Sequence, residues 1–263
     1  QNAAGGGGGA GAVGGTGSGS GSTGTAGAGG AGTANSITGS GVTYAGGGGG
    51  FAYWPGGSNA SHWGTNYAGH FMILAKRNGY EVPDYLMSQW LNFQRVNLNR
   101  GALLSNVYRV YLLALSGNPE FGAMNRILLH HENELRNQEK WLLAAAFKLA
   151  GNPEQAQKLV EKLDIGVANY IELSNTYGSR LRDQAIILSA LLDLSEEEVP
   201  KYKKKRKELL ESIAEQLSAE KWHSTQSLGY SLISLGRYLS EVKLSKTVDV
   251  NIDYNNQEKP WTI

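Results

Sequence analysis

The sequence predicts an all-α domain built from helical hairpins, preceded by a glycine-rich coil and followed by a short β segment. Three observations carry this. From Ser61 onward, apolar residues recur every three to four positions, the period of an amphipathic helix. Two connectors, Ser116-Gly117-Asn118-Pro119-Glu120 and Ala150-Gly151-Asn152-Pro153-Glu154, recur 34 residues apart. The composition also breaks at Phe51: 23 of the 36 glycines precede it, whereas the first Asp, Glu, Lys or Arg is Lys76.

Residues 1–50 come first. A run of Gly, Ala, Ser and Thr has almost no apolar surface to set against its backbone entropy, so it is expected to stay a disordered coil. Residues 51–245 form the helical domain, and their length suits one core. Nine helices are expected, over 61–78, 84–98, 102–116, 119–135, 137–150, 153–164, 180–194, 201–218 and 225–240. Leu103, Val107, Val110, Tyr111 and Ala114 form one apolar face; Leu228, Leu232, Leu235 and Leu239 form another. Each connector encodes a helix–turn–helix. Gly suits the left-handed position after a helix, Asn caps the next one, Pro fits its first turn, and Glu complements its positive end. Gly79, with Pro83 and Asp84, is a looser instance. Hairpins at this period imply a superhelical solenoid or a closed α/α toroid. Finally, Val248–Tyr254 alternates apolar and polar, so 246–263 begins a β element.

A formal net charge of +1 offers no long-range field for nucleic acid or anionic lipid. With no cysteine, the chain has no disulfide, thiolate metal site or cysteine nucleophile. It shows no transmembrane run or signal peptide. Because it begins with Gln1 and stops just past the strand, it is expected to be a fragment.

Gly50-Phe51-Ala52-Tyr53-Trp54-Pro55-Gly56-Gly57, followed by Trp63-Gly64-Thr65-Asn66-Tyr67-Ala68, resembles the thioester domain of bacterial alpha-2-macroglobulins. Further motifs keep that family's order: Gly79-Tyr80-Glu81-Val82-Pro83; Tyr111 to Gly117 (Y-x-L-A-L-x-G); Thr176-Tyr177-Gly178-Ser179-Arg180-Leu181-Arg182-Asp183; and Trp222-His223-Ser224-Thr225-Gln226. The resemblance implies an α/α toroid, here an incomplete ring, inserted in a CUB-like β-sandwich whose start is 246–263. It implies a broad-spectrum protease trap of the cell envelope, periplasmic or extracellular, and not an enzyme. Partners would be trapped proteases and adjacent macroglobulin domains, without nucleic acid, direct membrane insertion or cofactor.

The motif residues Trp54, Pro55, Gly56, Trp63, Thr65, Tyr67, Gly79, Pro83, Tyr177, Gly178, Arg182, Asp183, Trp222, Thr225 and Gln226 would be structural. The family's C-x-E-Q thioester is missing, so either the parent traps without a covalent bond or the first hairpins have been replaced by the glycine tract; replacement is favoured. Asn35 to Gly50 is weakly similar to glycine-rich phage tail fibres.

Other features have plainer readings. His130-His131-Glu132-Asn133-Glu134 lacks the H-E-x-x-H zinc spacing and reads as helix surface. The basic run Lys201–Lys207, between acidic residues and an apolar stripe, reads as a solvated helix face. Gly46–Gly50 lacks the Lys-Ser/Thr of a phosphate loop. Trp54, Trp63 and Trp222 read as core or domain-contact anchors rather than a sugar or peptide groove. Asp183 reads as a structural ion pair. The alternatives are a toroid enzyme (glycoside hydrolase, lyase or cyclase), which needs paired carboxylates in its cavity, and a helical-repeat scaffold or phage structural protein.

Overall fold

The computed structural model describes residues 12–17, 33–35, 42–44, 50–52, 60–194, 200–241, 249–254 and 257–262. Nine helices occur among them: α1 (His62–Arg77), α2 (Asp84–Val96), α3 (Leu103–Leu115), α4 (Phe121–His131), α5 (Asn137–Leu149), α6 (Pro153–Val160), α7 (Arg180–Leu194), α8 (Pro200–Ser218) and α9 (Thr225–Glu241). The domain is all-α. In the glycine-rich segment, β1 (Thr33–Asn35) pairs antiparallel with β2 (Val42–Tyr44); the coil expected over most of the rest lies outside the described residues.

The connectors behave largely as their residues dictate. Gly117 and Gly151 take φ of +79° and +87°, the left-handed turn that ends α3 and α5. Asn152 then caps α6, its side chain accepting from the Gln155 amide at 3.1 Å, with Pro153 in the first turn. The first copy departs from this pattern. Asn118 turns back and donates to the Ser116 carbonyl at 3.0 Å, so α4 starts only at Phe121 and stops at His131, four residues short of the expected end.

Odd- and even-numbered helices separate into two layers. α3 lies against α1 and α5, and α7 against α5 and α9; the even helices pack outside them. Nearly all of α3, α5 and α7 is buried, the signature of helices surrounded on every side. α4 and α6 bury only one face each. The inner sequence α1–α3–α5–α7–α9 closes through side chains: Trp63 and Tyr67 of α1 reach Tyr230 of α9, with ring centroids 6.2 and 5.3 Å apart. The result is a toroid whose centre is filled.

One face reverses the sequence expectation. On α9, Leu228, Leu232 and Leu239 are exposed and only Leu235 of the expected face packs partly against the core, while Ser227, Tyr230, Ser231 and Ser234 are buried. The inward positions are hydroxyl-bearing because they bond locally: Ser231 and Ser234 donate to the Ser227 and Ser231 carbonyls.

At the C-terminus β3 (Asp249–Tyr254) pairs antiparallel with β4 (Gln257–Thr262), Val250 opposite Trp261 and Ile252 opposite Lys259. The expected strand is present. Its partner carries Pro260 and two charges and gave no alternation to read.

Candidate functional site

The N-terminal ends of all five inner helices meet at one mouth of the ring. One cleft there, of about 680 Å³, is lined by Ser61, Ala102, Arg136 and Arg182 from the starts of α1, α3, α5 and α7. A neighbouring one, of about 590 Å³, adds Ser224 and Ser227 from α9. The segment 161–179 crosses this mouth, held by a bridge between Ile171 and Ser179. Asn175 and Tyr177 adopt left-handed φ of 51° and 49°, which lets the chain double back.

Arg182 and Asp183, the first turn of α7, organise the mouth. Both side chains are fully buried and paired at 2.7 Å. The second Asp183 oxygen accepts from the Tyr170 hydroxyl at 2.7 Å and from Gln138 Nε2 of α5 at 3.0 Å. Arg182 also donates to the Thr176 carbonyl at 2.8 Å and to the Tyr170 hydroxyl at 3.1 Å, and its guanidinium lies 4.8 Å from the Trp63 ring centroid. Burial alone would lower the Arg182 pKa, yet Asp183 beside it leaves it raised. Tyr170 is pushed above the usual phenol range by burial first and by Asp183 second. Gly178 sits where a Cβ would come within 2.5 Å of the Tyr170 hydroxyl and 2.9 Å of Arg182.

Several motif residues converge on this cluster. The Trp63 indole donates to Gln226 Oε1 at 3.3 Å, joining α1 to α9. The Thr65 hydroxyl accepts from the Phe51 amide at 2.8 Å, and its carbonyl accepts from the Trp90 indole at 3.0 Å. Tyr67 packs beside Gly229. Ser224 caps α9 and reaches the Tyr177 carbonyl at 3.3 Å. Trp63, Tyr177, Gly178, Arg182, Asp183 and Gln226 are thereby brought together; Thr65 lies against Phe51 and Trp90, Tyr67 against Gly229 and Tyr230, and Thr225 is exposed at the start of α9.

The remaining six motif residues stand apart from this bonding or outside the described residues. Gly79 (φ +81°) and Pro83 lie in the α1–α2 connector, beyond the C-terminal end of α1. Trp222 is 66% exposed and lines the second cleft, so within this domain it pins no core. Trp54, Pro55 and Gly56 lie outside the described residues. Sequence reasoning missed Tyr170 and Gln138, which complete the shell around Asp183; neither stands in a recognisable motif.

Below the mouth, the ring centre is closed by His70, Tyr108, Tyr111 and Tyr230, with centroids 5.8–6.4 Å apart. His70 Nδ1 and the Tyr108 hydroxyl are 2.8 Å apart. Burial, reinforced by Arg237 and Arg77, holds the His70 pKa down at about 3. Asp193 accepts from Tyr111 at 2.7 Å and from Arg237 at 2.6 Å, tying α3, α7 and α9 together.

Chemically, the mouth is committed to structure. Asp183 is saturated as described. Glu139 accepts from the Arg136 amide at 2.6 Å and completes the capping box of α5. Burial would raise Glu172, but hydrogen bonds from Thr176, the Gly178 amide and Asn175 pull its carboxyl below the ordinary value. Three glutamates, Glu134, Glu139 and Glu172, line the larger cleft, and each is engaged by a neighbour: Glu139 by the Arg136 amide, Glu172 by Thr176 and the Gly178 amide, and Glu134 by His131. His131 pairs with Glu134 at 3.1 Å on the exposed end of α4. In the basic run, Tyr202 is buried, Lys205 lies 5.7 Å from the Trp141 ring centroid, and Lys204 and Lys207 pair with Glu208 and Glu211.

These features define a closed-centre α/α toroid whose inner helices are tied by the buried Arg182–Asp183 pair at the mouth and by the Asp193–Arg237 pair further in. No family model matches the chain. Over 193 residues it is 28% identical to alpha-2-macroglobulin of Escherichia coli (strain K12), a match covering 67% of this chain and 11% of that protein. The chain thus spans only a small part of the curated relative it matches. Among solved structures it resembles native E. coli alpha-2-macroglobulin from domain MG7 to the C-terminus, with a TM-score of 0.61 and 22% identity over 81% of this chain and 35% of that chain. It also resembles Salmonella alpha-2-macroglobulin reacted with methylamine (TM-score 0.62, 20% identity, 81% and 14% covered). A third is E. coli alpha-2-macroglobulin activated by porcine elastase (TM-score 0.58, 22% identity, 81% and 20% covered). The helical domain has the fold of part of the bacterial alpha-2-macroglobulins and resembles them in sequence.

Proposed function

We propose that residues 51–245 serve as the thioester-domain-like block of a macroglobulin-type endopeptidase inhibitor, with 246–263 the start of a CUB-like β-sandwich. The block is mechanical. It moves as a rigid unit when an attacking protease cuts the parent protein, and it meets the trapped protease and adjacent macroglobulin domains through its surface. The carrying observation is the filled centre together with the fully bonded Arg182–Asp183 cluster: a ring locked in this way transmits displacement without internal slack. It also argues against a toroid enzyme, whose opposed acids need an open cavity.

Without cysteine, this block forms no thioester of its own, so it contributes no acyl bond to the captured protease. Trapping proteases outside the cytoplasm places the working protein in the periplasm or at the cell surface; among the described residues no helix is long and apolar enough to cross a membrane. The test is capture of elastase by the intact protein. Co-elution in native gel filtration, with complete separation in denaturing electrophoresis, supports the reading. No co-elution overturns it, and a detergent-resistant adduct overturns the non-covalent part.

A further inference from the structure

Trp63, Trp90 and Trp141 are buried, whereas Trp222, in the connector from α8 to α9, is 66% exposed. It lines the cleft of about 590 Å³ at the mouth of the ring, and so does Ile171, 67% exposed. Two large apolar groups left bare at a concave site give a ligand surface on which to shed water.

The rest of the cleft is polar. The hydroxyls of Ser179, Ser224 and Ser227 bond to one another at 2.7 and 3.0 Å, and Ser179 and Ser224 cap α7 and α9, so this part of the lining is fixed. Asn169, Arg180, Glu215 and Lys221 also line it, all exposed and without a side-chain partner among the described residues. An amide, two cations and a carboxylate offer donors and acceptors together. A simple anion would meet Glu215, and a simple cation would meet Arg180 and Lys221. Hydroxyl groups, which both donate and accept, suit all four. Main-chain groups are less available: the Tyr170, Gly178 and Ala219 carbonyls already accept from the Arg180, Glu172 and Lys221 amides. An extended peptide, held through its backbone, finds few partners there.

We propose that this cleft is a carbohydrate site that takes a neutral oligosaccharide. The C–H face of one pyranose ring lies on the Trp222 indole, whose negative ring face attracts those polarised hydrogens. The hydroxyl edge of the sugar reaches Asn169, Arg180, Glu215 and Lys221. The volume is suitable, since small-molecule sites run about 300–1,000 Å³. Binding here is independent of protease capture.

Calorimetric titration of the purified chain with cellotriose, maltotriose and triacetylchitotriose, each to about 10 mM, tests this. At least one is expected to bind with a dissociation constant below about 1 mM. Trp222→Ala is expected to weaken that binding at least about tenfold, and Trp222→Phe, which keeps an aromatic face, by less. Glu215→Ala removes an acceptor and is expected to weaken it roughly threefold or more. Thermal midpoints of these exposed-site variants are expected to match wild type. Absence of binding by all three sugars overturns the proposal. So does binding indifferent to Trp222→Ala, which would place the sugar elsewhere.

Discussion

Asp183→Ala is the sharpest perturbation of the proposed lock. Asp183 accepts four hydrogen bonds, from Arg182 Nε and Nη2 at 2.9 and 2.7 Å, Tyr170 at 2.7 Å and Gln138 at 3.0 Å. Both it and Arg182 are fully buried. Removing one member leaves a guanidinium without its counter-ion in a low-dielectric site, a cost of about 3–5 kcal/mol. For a domain of this size each kcal/mol moves the midpoint by about 2–4 °C, so a fall of roughly 6–20 °C is expected in thermal denaturation followed by circular dichroism. The double variant Arg182→Met/Asp183→Leu removes both charges and is expected to recover at least about half of the loss. If Asp183→Ala stays within about 1 kcal/mol of wild type, the ion pair does not hold the ring, and the reasoning fails.

Three further outcomes are expected. For His70, the unfolded imidazole takes up its proton below its ordinary value of 6.5, whereas the folded one resists to about 3. The unfolded state therefore binds more protons between these values, and stability falls as pH falls, by about 1.4 kcal/mol per unit; urea titrations from pH 7 to 4.5 should show this slope in wild type and its loss in His70→Gln. Gly69→Ala would put a Cβ 2.0 Å from Trp90 Nε1, and because that indole donates to the Thr65 carbonyl at 3.0 Å it cannot simply move away. A cost of about 1–3 kcal/mol follows by chemical denaturation, partly relieved in Gly69→Ala/Trp90→Leu. Trp222→Ala, at a 66% exposed position, should change stability by less than about 0.5 kcal/mol; a larger loss would mean that Trp222 is packed in solution.

Local rules made much of the fold readable. Gly117 and Gly151 announced their turns because few side chains tolerate the left-handed backbone they adopt. Helix limits came from apolar period, and they erred where a side chain had two local options: Asn118 was expected to cap forward and instead bonded backward. The orientation of α9 was illegible. Leucines at helical spacing predict burial, but which face turns inward depends on what the ring centre already holds, and that is set by Trp63, Tyr67 and Tyr108 far along the chain.

The same distinction applies at the mouth. Arg182 and Asp183 are neighbours in a motif and could be read as a pair. Gln138 lies 45 residues from Asp183, and Tyr170 sits in a connector without period, so only tertiary structure brings them together. The absence of cysteine was legible at once; the closed aromatic centre of His70, Tyr108, Tyr111 and Tyr230 was not.

The most direct measurement of the trap account compares two substrates after the intact protein has been incubated with elastase. The account predicts that digestion of a large protein substrate is suppressed while cleavage of a small chromogenic peptide continues at close to its original rate. Equal loss of both activities, or unimpaired digestion of the large substrate, would contradict it.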